Sequence, residues 1–441
     1  PFLKSRDLTT ISGLVFFDFM LDIFLDLSTE TLLKIMFAAL RASKPEGNFK
    51  YIPSMPEGKT IILGAGKASA SMARAFEQIY PHKIEGLVVT RYGHSDKTKY
   101  IKVLEASHPI PDRNGLNATN KIIELARKAT DKDLVIFLIS GGASALLFSP
   151  IKGISFEEKQ YLNNMLLKSG ARINEINIVR QSISAIKGGR LSHLINPSKL
   201  ITYAISDIPG DDPKFIGSGP TVNSDVKVED AIRILKKYKI DISPNILKII
   251  KKNNIPITNE TPFYFVSTPM MALEAAKKEA SKIGFLPFIL TDKLEGEAYE
   301  EGKKMAELAI KIKYEGKYKN TFLEKPIVLL SGGETTVTVK GSGYGGRNSE
   351  FMLSMAKRLN GLNGIYSLAI DTDGIDGNMD NAGSYISPQT LKKANEKNLN
   401  LDKFLKLNDS YTFFKEIDDL IITKPTLTNV NDFRAVLILP S

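Results

Sequence analysis

Between residues 59 and 147 one pattern recurs three times: a short apolar run stops at a polar or glycine turn, and a helix-like stretch follows. Residues 59–63 run into Gly64-Ala65-Gly66-Lys67-Ala68-Ser69 and a helix over 70–78. Residues 101–106 stop at the turn 107–114, ahead of a helix over 117–129. Residues 133–139 stop at Ser140-Gly141-Gly142, ahead of a short helix over 143–147. With a further strand at 86–90, this rhythm predicts a mostly parallel, doubly wound sheet with helices on both faces. Ligands of such sheets gather at the carboxyl ends of the strands, where these turns lie.

Farther on, helices are expected over 156–170 and 182–194, and a strand over 200–205 ends in Ser206-Asp207-Ile208-Pro209-Gly210-Asp211-Asp212. Amphipathic helices cover 227–238 and 243–252, and residues 253–261 read as a connection. The pattern then restarts with strands at 263–267 and 285–290 and helices over 270–283 and 295–314. The expectation is two α/β domains, residues 1–255 and 256–441, the second with a mixed sheet, and an active-site cleft between them. Residues 1–50 read as largely helical. In the second half, 327–330 is a buried-strand run, Ser331-Gly332-Gly333 reads as a tight turn and 335–339 as a β-branched strand. Gly341, Gly343, Gly345 and Gly346 precede Arg347 and a helix over 349–359. Dense glycine leaves backbone N–H groups uncovered, so two such loops beside a helix start and an arginine suit a phosphate.

Composition narrows the chemistry. The 441 residues contain no cysteine and four histidines, which excludes disulfides, thiol nucleophiles and thiolate metal sites and leaves little for zinc. The charge of +10 is spread over helix surfaces without an aromatic-interleaved patch, which argues for an anionic small substrate and against nucleic acid. The most apolar segment, 11–27, is interrupted by Asp18, Asp22 and Asp26 and reads as neither membrane span nor signal peptide. A cytoplasmic protein, monomeric or homodimeric, is expected. The lysine-, glutamate- and isoleucine-rich composition suits a thermophile, though low-GC codon usage gives the same look.

Gly64 and Gly66 are the first two glycines of a dinucleotide fingerprint, but Ser69 stands for the third, and Val88-Val89-Thr90-Arg91 stands where a ribose-binding acid is sought. Lys67 is a cation at a helix start, where it opposes the dipole unless an anion is present; the alternative is an ordinary exposed lysine. Ser140, Gly141 and Gly142, with Ser331, Gly332, Gly333 and Glu334, suggest two oxygen-binding loops that close over one nucleotide. Asp207, Asp212 and Asp373 are short oxygen ligands suited to Mg²⁺. An aspartate at a strand end also suits a substrate hydroxyl, while Asp376 reads better as a turn former. His108, Arg180, Lys187 and Arg190 are candidates for holding a small acid, with solvated helix-face charges as the alternative for the last three.

Taken in order, GAGKAS, VVTRYGHS, HPIPDRNG, FLISGGASALL, SAIKGGRL, SDIPGDD, SGPTV, LSGGETTVTVKGSGYGGRNSEF, DTDGIDG, NDSYTFF and PTLTNVNDFRA resemble the glycerate 2-kinase family, which carries a C-terminal MOFRL-type domain. The resemblance runs from about residue 61 to 437 and implies ATP- and Mg²⁺-dependent phosphorylation of D-glycerate at its 2-hydroxyl. It implies phosphate contact and catalysis for Lys67, substrate-hydroxyl chemistry for Asp207 and the transferring phosphate for Arg347. Asp371 departs from the small residue often found before TDG, and the first 25 residues match nothing in the family. Some members have been named hydroxypyruvate reductases. A nicotinamide-dependent reductase is therefore the rival enzyme reading, and a non-catalytic nucleotide or sugar-acid binder the rival outside catalysis.

Overall fold

The computed structural model describes residues 27–252, 260–322 and 324–440. Residues 11–26 of the apolar segment and most of the connection at 253–261 lie outside them. The first sheet is built from β1 (Thr60–Ala65), β2 (Ile84–Arg91), β3 (Ile101–Ala106), β4 (Leu134–Ile139), β5 (Lys199–Ile205) and β6 (Phe263–Ser267). Its order is β3-β2-β1-β4-β5-β6, and every neighbouring pair is parallel. The chain runs outward one way from β1 and the other way from β4. The crevice between their carboxyl ends is the switch point at which such sheets bind ligands. β1 and β4 are buried along their whole length, as near-continuous apolar strands covered on both faces must be.

The second sheet holds β7 (Leu286–Leu294), β10 (Ile327–Gly333), β11 (Ile365–Asp371), β12 (Gly383–Ile386), β13 (Leu420–Ile421) and β14 (Asp432–Ile438); β8 (Lys317–Tyr318) and β9 (Thr321–Phe322) pair separately. Its order is β13-β12-β11-β14-β10-β7. Only β10 and β7 run parallel, so the sheet is mixed as expected. β7 closes one edge and is half-buried except at Lys293, which is exposed near its end.

Three local expectations change. β6 completes the first sheet beside β5, so a division at residue 255 cuts off that sheet's own edge strand. Ser331, Gly332 and Gly333 do not turn: β10 continues through them, because its neighbour β7 continues too, and register shifts on either side of Ser331 absorb the glycines. Residues 335–339 form no strand; Thr336 bridges Glu297 alone.

The two sheets share one apolar core. The helices Leu27–Ser43, Ser69–Ile79 and Pro269–Lys282 lie between them. Ile35, Met36, Phe76 and Leu273 join Ile136 and Tyr203 of the first sheet to Leu330 and Phe433 of the second. Each such side chain stabilises by roughly 1.5–3 kcal/mol on burial, so the halves are held by packing as well as by the chain. Helix Arg113–Lys128 covers the opposite face of the first sheet. Helices Ala298–Glu315 and Arg347–Leu359 cover that of the second.

Candidate active site

The first glycine loop is a joint between β1 and β4. A Cβ on Gly64 would overlap Leu138 O, and one on Gly66, whose φ is +136°, would overlap Ser140. Ser140 Oγ accepts from Ala68 N at 3.0 Å, and Gly141 O accepts from Lys67 N at 2.8 Å. Gly64, Gly66 and Ser140 therefore serve close packing. Gly141 and Gly142 differ, since their amides meet no acceptor among the described residues. A Cβ on Gly141 would overlap Asp207 Oδ2, and one on Gly142 would lie 3.1 Å from His108 Cδ2 and 3.3 Å from Lys67 Cγ. Four expected site residues, Lys67, His108, Gly142 and Asp207, thus meet around one loop.

Lys67 Nζ reaches Asp373 Oδ2 in the other half of the molecule at 2.8 Å. Burial works against its positive charge, but Asp373, Asp371 and Asp207 outweigh burial and hold the proton on. Asp373 N donates to Asp371 Oδ1 at 2.9 Å, and Asp371 Oδ2 accepts from Arg347 at 2.7 Å. One three-residue segment, Asp371-Thr372-Asp373, therefore links Lys67 to Arg347. Burial and then the charge of Asp373 push the Asp371 carboxyl well up. Burial also acts on Asp373, but Lys67 overrides it and holds that carboxyl down.

Arg347 is the first residue of its helix and is gripped on three sides. Its Nε donates to Asp432 at 2.9 and 3.1 Å, and Glu334 Oε1 lies 3.0 Å from the guanidinium. Asp371 and Asp432 stand directly opposite each other on β11 and β14. Like charges in that position repel, and Arg347 bridges them. Burial lowers the hold of Arg347 on its proton, and Asp432, Asp371 and Glu334 more than reverse it. Asp432 is held further by Asn348 Nδ2 at 2.8 Å and by buried Arg434 at 2.5 Å.

The phosphate seat expected at Gly345 and Gly346 is taken by an internal anion. Asp376 accepts from Asn348 N at 2.9 Å, from Ser349 N at 2.8 Å and from Ser349 Oγ at 2.6 Å. A carboxylate there satisfies the helix's orphan donors and its dipole. A Cβ on Gly346 would overlap that carboxylate, and one on Gly345 would overlap Ser410 Oγ. Asn408 and Asp409 consume the amides of Lys340, Gly341 and Tyr344.

Asp207 follows β5 and has few donors: Asn429 Nδ2 lies 3.3 Å from Oδ2, while Asn431 Nδ2 takes the main-chain oxygen. Burial pushes its carboxyl up to about 6, against the pull of Lys67. Burial, then Lys67 and Arg91, push His108 down to about 4, so its ring is neutral near pH 7. Asp212 accepts from Lys214 N at 2.9 Å and takes a turn-forming task instead. Among the described residues no three carboxylate or imidazole groups converge as a metal cage. Arg180, Lys187 and Arg190 lie behind the loop: Lys187 Nζ donates to Ser144 O at 2.6 Å, and Arg190 donates to Gln181 O at 2.9 Å and Lys187 O at 3.0 Å.

Sequence reasoning missed Asp432, Asn429, Asn431 and Arg91 as site residues. The first three sit in PTLTNVNDFRA, where amide side chains alternate along an extended, polar stretch. Leu427 and Asn431 there adopt φ of 60° and 64°, and a bulky residue in that region carries strain of roughly 1–3 kcal/mol. Ser71 Oγ fastens Leu427 O at 2.5 Å, and Ser43 O is fastened by Thr428, so the strained turn is pinned to the first half.

Residues 31–251 match the family described as a domain of unknown function, DUF4147, and residues 327–432 match the MOFRL family. A D-glycerate 2-kinase of Thermotoga maritima is 38% identical, over 88% of this chain and 92% of that protein. A crystal structure of a Thermotoga maritima glycerate kinase superposes with a TM-score of 0.86 at 36% identity, covering 93% of this chain and 99% of that one. The chain belongs to the glycerate 2-kinase family. A protein of Agrobacterium vitis that carries a hydroxypyruvate reductase name is 44% identical, over 94% of this chain and 95% of that one. In this member of the glycerate 2-kinase family the strand order is that of dinucleotide-binding sheets, yet the seat of the pyrophosphate is filled. The amides of Lys67 and Ala68, which would face a dinucleotide at the helix start, are spent on Gly141 O and Ser140 Oγ.

No helix among the described residues is long and apolar enough to cross a membrane.

Proposed function

We propose that this chain is an ATP-dependent D-glycerate 2-kinase. The observation that carries the reading is the linkage of Lys67 and Arg347, cations from opposite sheets, through Asp371-Thr372-Asp373 at the mouth of one crevice. Both cations are paired to the protein's own carboxylates. A triphosphate replaces those partners, and Lys67, Arg347 and the unspent amides of Gly141 and Gly142 are the donors it meets.

In the transfer, the 2-oxygen of glycerate forms a bond to the γ-phosphorus as the bridge to the β-phosphate breaks, and ADP leaves with that electron pair. Asp207 accepts the hydroxyl proton. Its raised pKa supports the assignment, since a base works best when it titrates near the operating pH. The raised value also follows from its scarcity of donors, which leaves lone pairs for a substrate hydroxyl.

Carboxylates outnumber cations here: Asp207, Asp371, Asp373, Asp432 and Glu334 surround Lys67, Arg347 and Arg434. A triphosphate adds still more negative charge. These donors fit Mg²⁺, which asks for one or two carboxylates and takes its other oxygens from phosphates and water. Asp207 and Asp373 would hold it, and it would supply neutralisation of phosphate charge. Neutral His108 serves as a hydrogen-bond partner for the substrate and leaves the charge of the substrate carboxylate to other residues.

Phosphorus NMR of the product from ATP and D-glycerate tests the reading. The expected product is 2-phosphoglycerate. Formation of 3-phosphoglycerate overturns the position of transfer. Nicotinamide oxidation by hydroxypyruvate without any phosphoryl transfer overturns the kinase reading in favour of the reductase. Tight ligand binding without product favours a binding protein.

A further inference from the structure

Behind the first glycine loop three cations lie together with no carboxylate against any of them among the described residues. Lys159, fully buried in the helix Phe156–Lys168, donates Nζ to Ser149 O at 2.7 Å and stands 4.5 Å from the centre of the Phe148 ring. Lys187 is 1% exposed, and its Nζ is bound to Ser144 O. Arg180, near the end of the helix Ile173–Ser182, is half-buried, and its guanidinium meets no hydrogen-bond acceptor among the described residues. Burial comes first in weakening the hold of all three on their protons. Arg180 also weakens that of both lysines, and Arg190 weakens that of Lys159. Carbonyl oxygens satisfy ammonium N–H groups but do not neutralise them, and burying like charges without a counter-ion is costly. A guanidinium with five donors and no acceptor adds to that cost.

A line of neutral polar groups joins the patch to the reacting loop. Ser218 Oγ lies 3.1 Å from Asn177 Oδ1 and 2.9 Å from Ser144 Oγ. Asn177 precedes Arg180 by three residues and so shares its helix face. Ser144 follows by two residues Gly142, on which Lys67 and His108 pack. The cations thus back onto the same turn whose front carries Lys67.

We infer that this patch is the seat of the acid substrate's carboxylate, with Arg180 making the contact and Lys159 and Lys187 supplying the field behind it. The inference rests on the kinase reading and names its acid subsite. It makes the acceptor's carboxylate the group that is selected for, so acceptors that carry one are preferred. Their neutral counterparts lack the charge that the patch requires.

The full chain with Arg180→Gln and Arg180→Lys, assayed with ATP, Mg²⁺ and either D-glycerate or its uncharged amide, glyceramide, tests this. In Arg180→Gln the KM for glycerate rises about thirtyfold, the scale of a lost charge-assisted hydrogen bond. The KM for ATP stays within about threefold, and the preference for glycerate over glyceramide collapses. Arg180→Lys keeps part of that preference, which a purely structural role would not predict. An unchanged acid-to-amide preference in a folded Arg180→Gln overturns the inference and leaves the kinase reading standing. If the wild type transfers no phosphoryl group to glycerate, calorimetric titration with glycerate decides the rest. Binding that Arg180→Gln abolishes keeps the carboxylate seat while the transfer reading falls, and no binding to the wild type removes both.

Discussion

Ser140-Gly141-Gly142 and Ser331-Gly332-Gly333 are spelled alike, and each follows an apolar strand, yet they do different work. The first lies at the end of β4, at the switch point of an all-parallel sheet. There the chain must leave the sheet, so its glycines bring backbone against Asp207, His108 and Lys67. The second stays inside β10, between antiparallel β14 and parallel β7, and its Gly333 lets the end of β7 approach. Only the next residue, Glu334, enters the site, through Arg347. The same triplet therefore reports a site or a bulge according to where its neighbouring strands stop.

The sharpest way to break this contrast is through the first loop's own cation. Lys67→Ala is expected to lower kcat about 10³-fold, the scale of removing a preorganised donor from developing phosphoryl charge. Initial rates at saturating ATP and glycerate measure it, and a loss under about tenfold, worth about 1.4 kcal/mol, removes Lys67 from a central role. Next comes Gly141→Ala. The added methyl overlaps Asp207 Oδ2, so kcat/KM should fall about 10²-fold while thermal unfolding moves little. Wild-type turnover in that variant would mean that the Asp207 carboxylate works elsewhere than against this loop.

The second triplet should answer in stability. Gly333 has a φ of +102°, and a Cβ there overlaps Leu294 N, so Gly333→Ala is expected to cost about 2 kcal/mol in denaturant unfolding. Activity per folded molecule should stay within about threefold. A large loss of kcat at unchanged stability would instead make the second loop catalytic and erase the contrast.

The pH profile separates the groups around the first loop. Asp207 is raised from an ordinary 3.8 to about 6 in the folded state. The folded protein thus holds a proton that the unfolded chain has released. The stability this lends is full below about 3.8 and is lost as pH rises through about 6. In the proposed transfer activity runs the other way, since there the ionised form accepts the hydroxyl proton. The kcat/KM should drop roughly tenfold per pH unit below that point. His108, held near 4, does not contribute to the limb. A His108→Asn variant should keep it, and Asp207→Asn should lack both the limb and the loss of stability. A limb that follows His108 would reassign the base.

Much of the fold was legible because parallel strands and their helices are local, repeating patterns: β1, β4 and β5 end where glycine or aspartate appears. The pairing of β6 with the first sheet and the run of β10 through its glycines were not legible, because both depend on a neighbouring strand. In the site, Lys67, Asp207 and Arg347 announced themselves as charged residues beside turns. Asp432 did not, for it begins a strand and gains meaning only opposite Asp371. Asp376 reads as a turn former until its carboxylate is seen closing a helix start. That same contact is why Gly345 and Gly346, the most phosphate-like spelling in the chain, pack against protein instead.

The smallest expected effect is the most pointed control. A Cβ on Gly332 would lie 3.4 Å from Asp432 O and 3.5 Å from both Asp292 Cα and Leu273 Cδ1, and its φ lies outside the left-handed region. Those are ordinary contacts, so alanine fits without moving β7 or β14 and adds a little apolar packing against Leu273. Gly332→Ala should therefore leave kcat/KM within about threefold of the wild type and shift unfolding by under about 1 kcal/mol. It occupies the same place in its triplet as Gly141, where the same substitution overlaps the Asp207 carboxylate. If the two alanine variants were to lose activity equally, the triplets would be working as a pair over one nucleotide, and sheet topology would not be what separates them. If only Gly141→Ala does, the crevice between β1 and β4 carries the chemistry, and the second sheet contributes through Arg347 and its carboxylates alone.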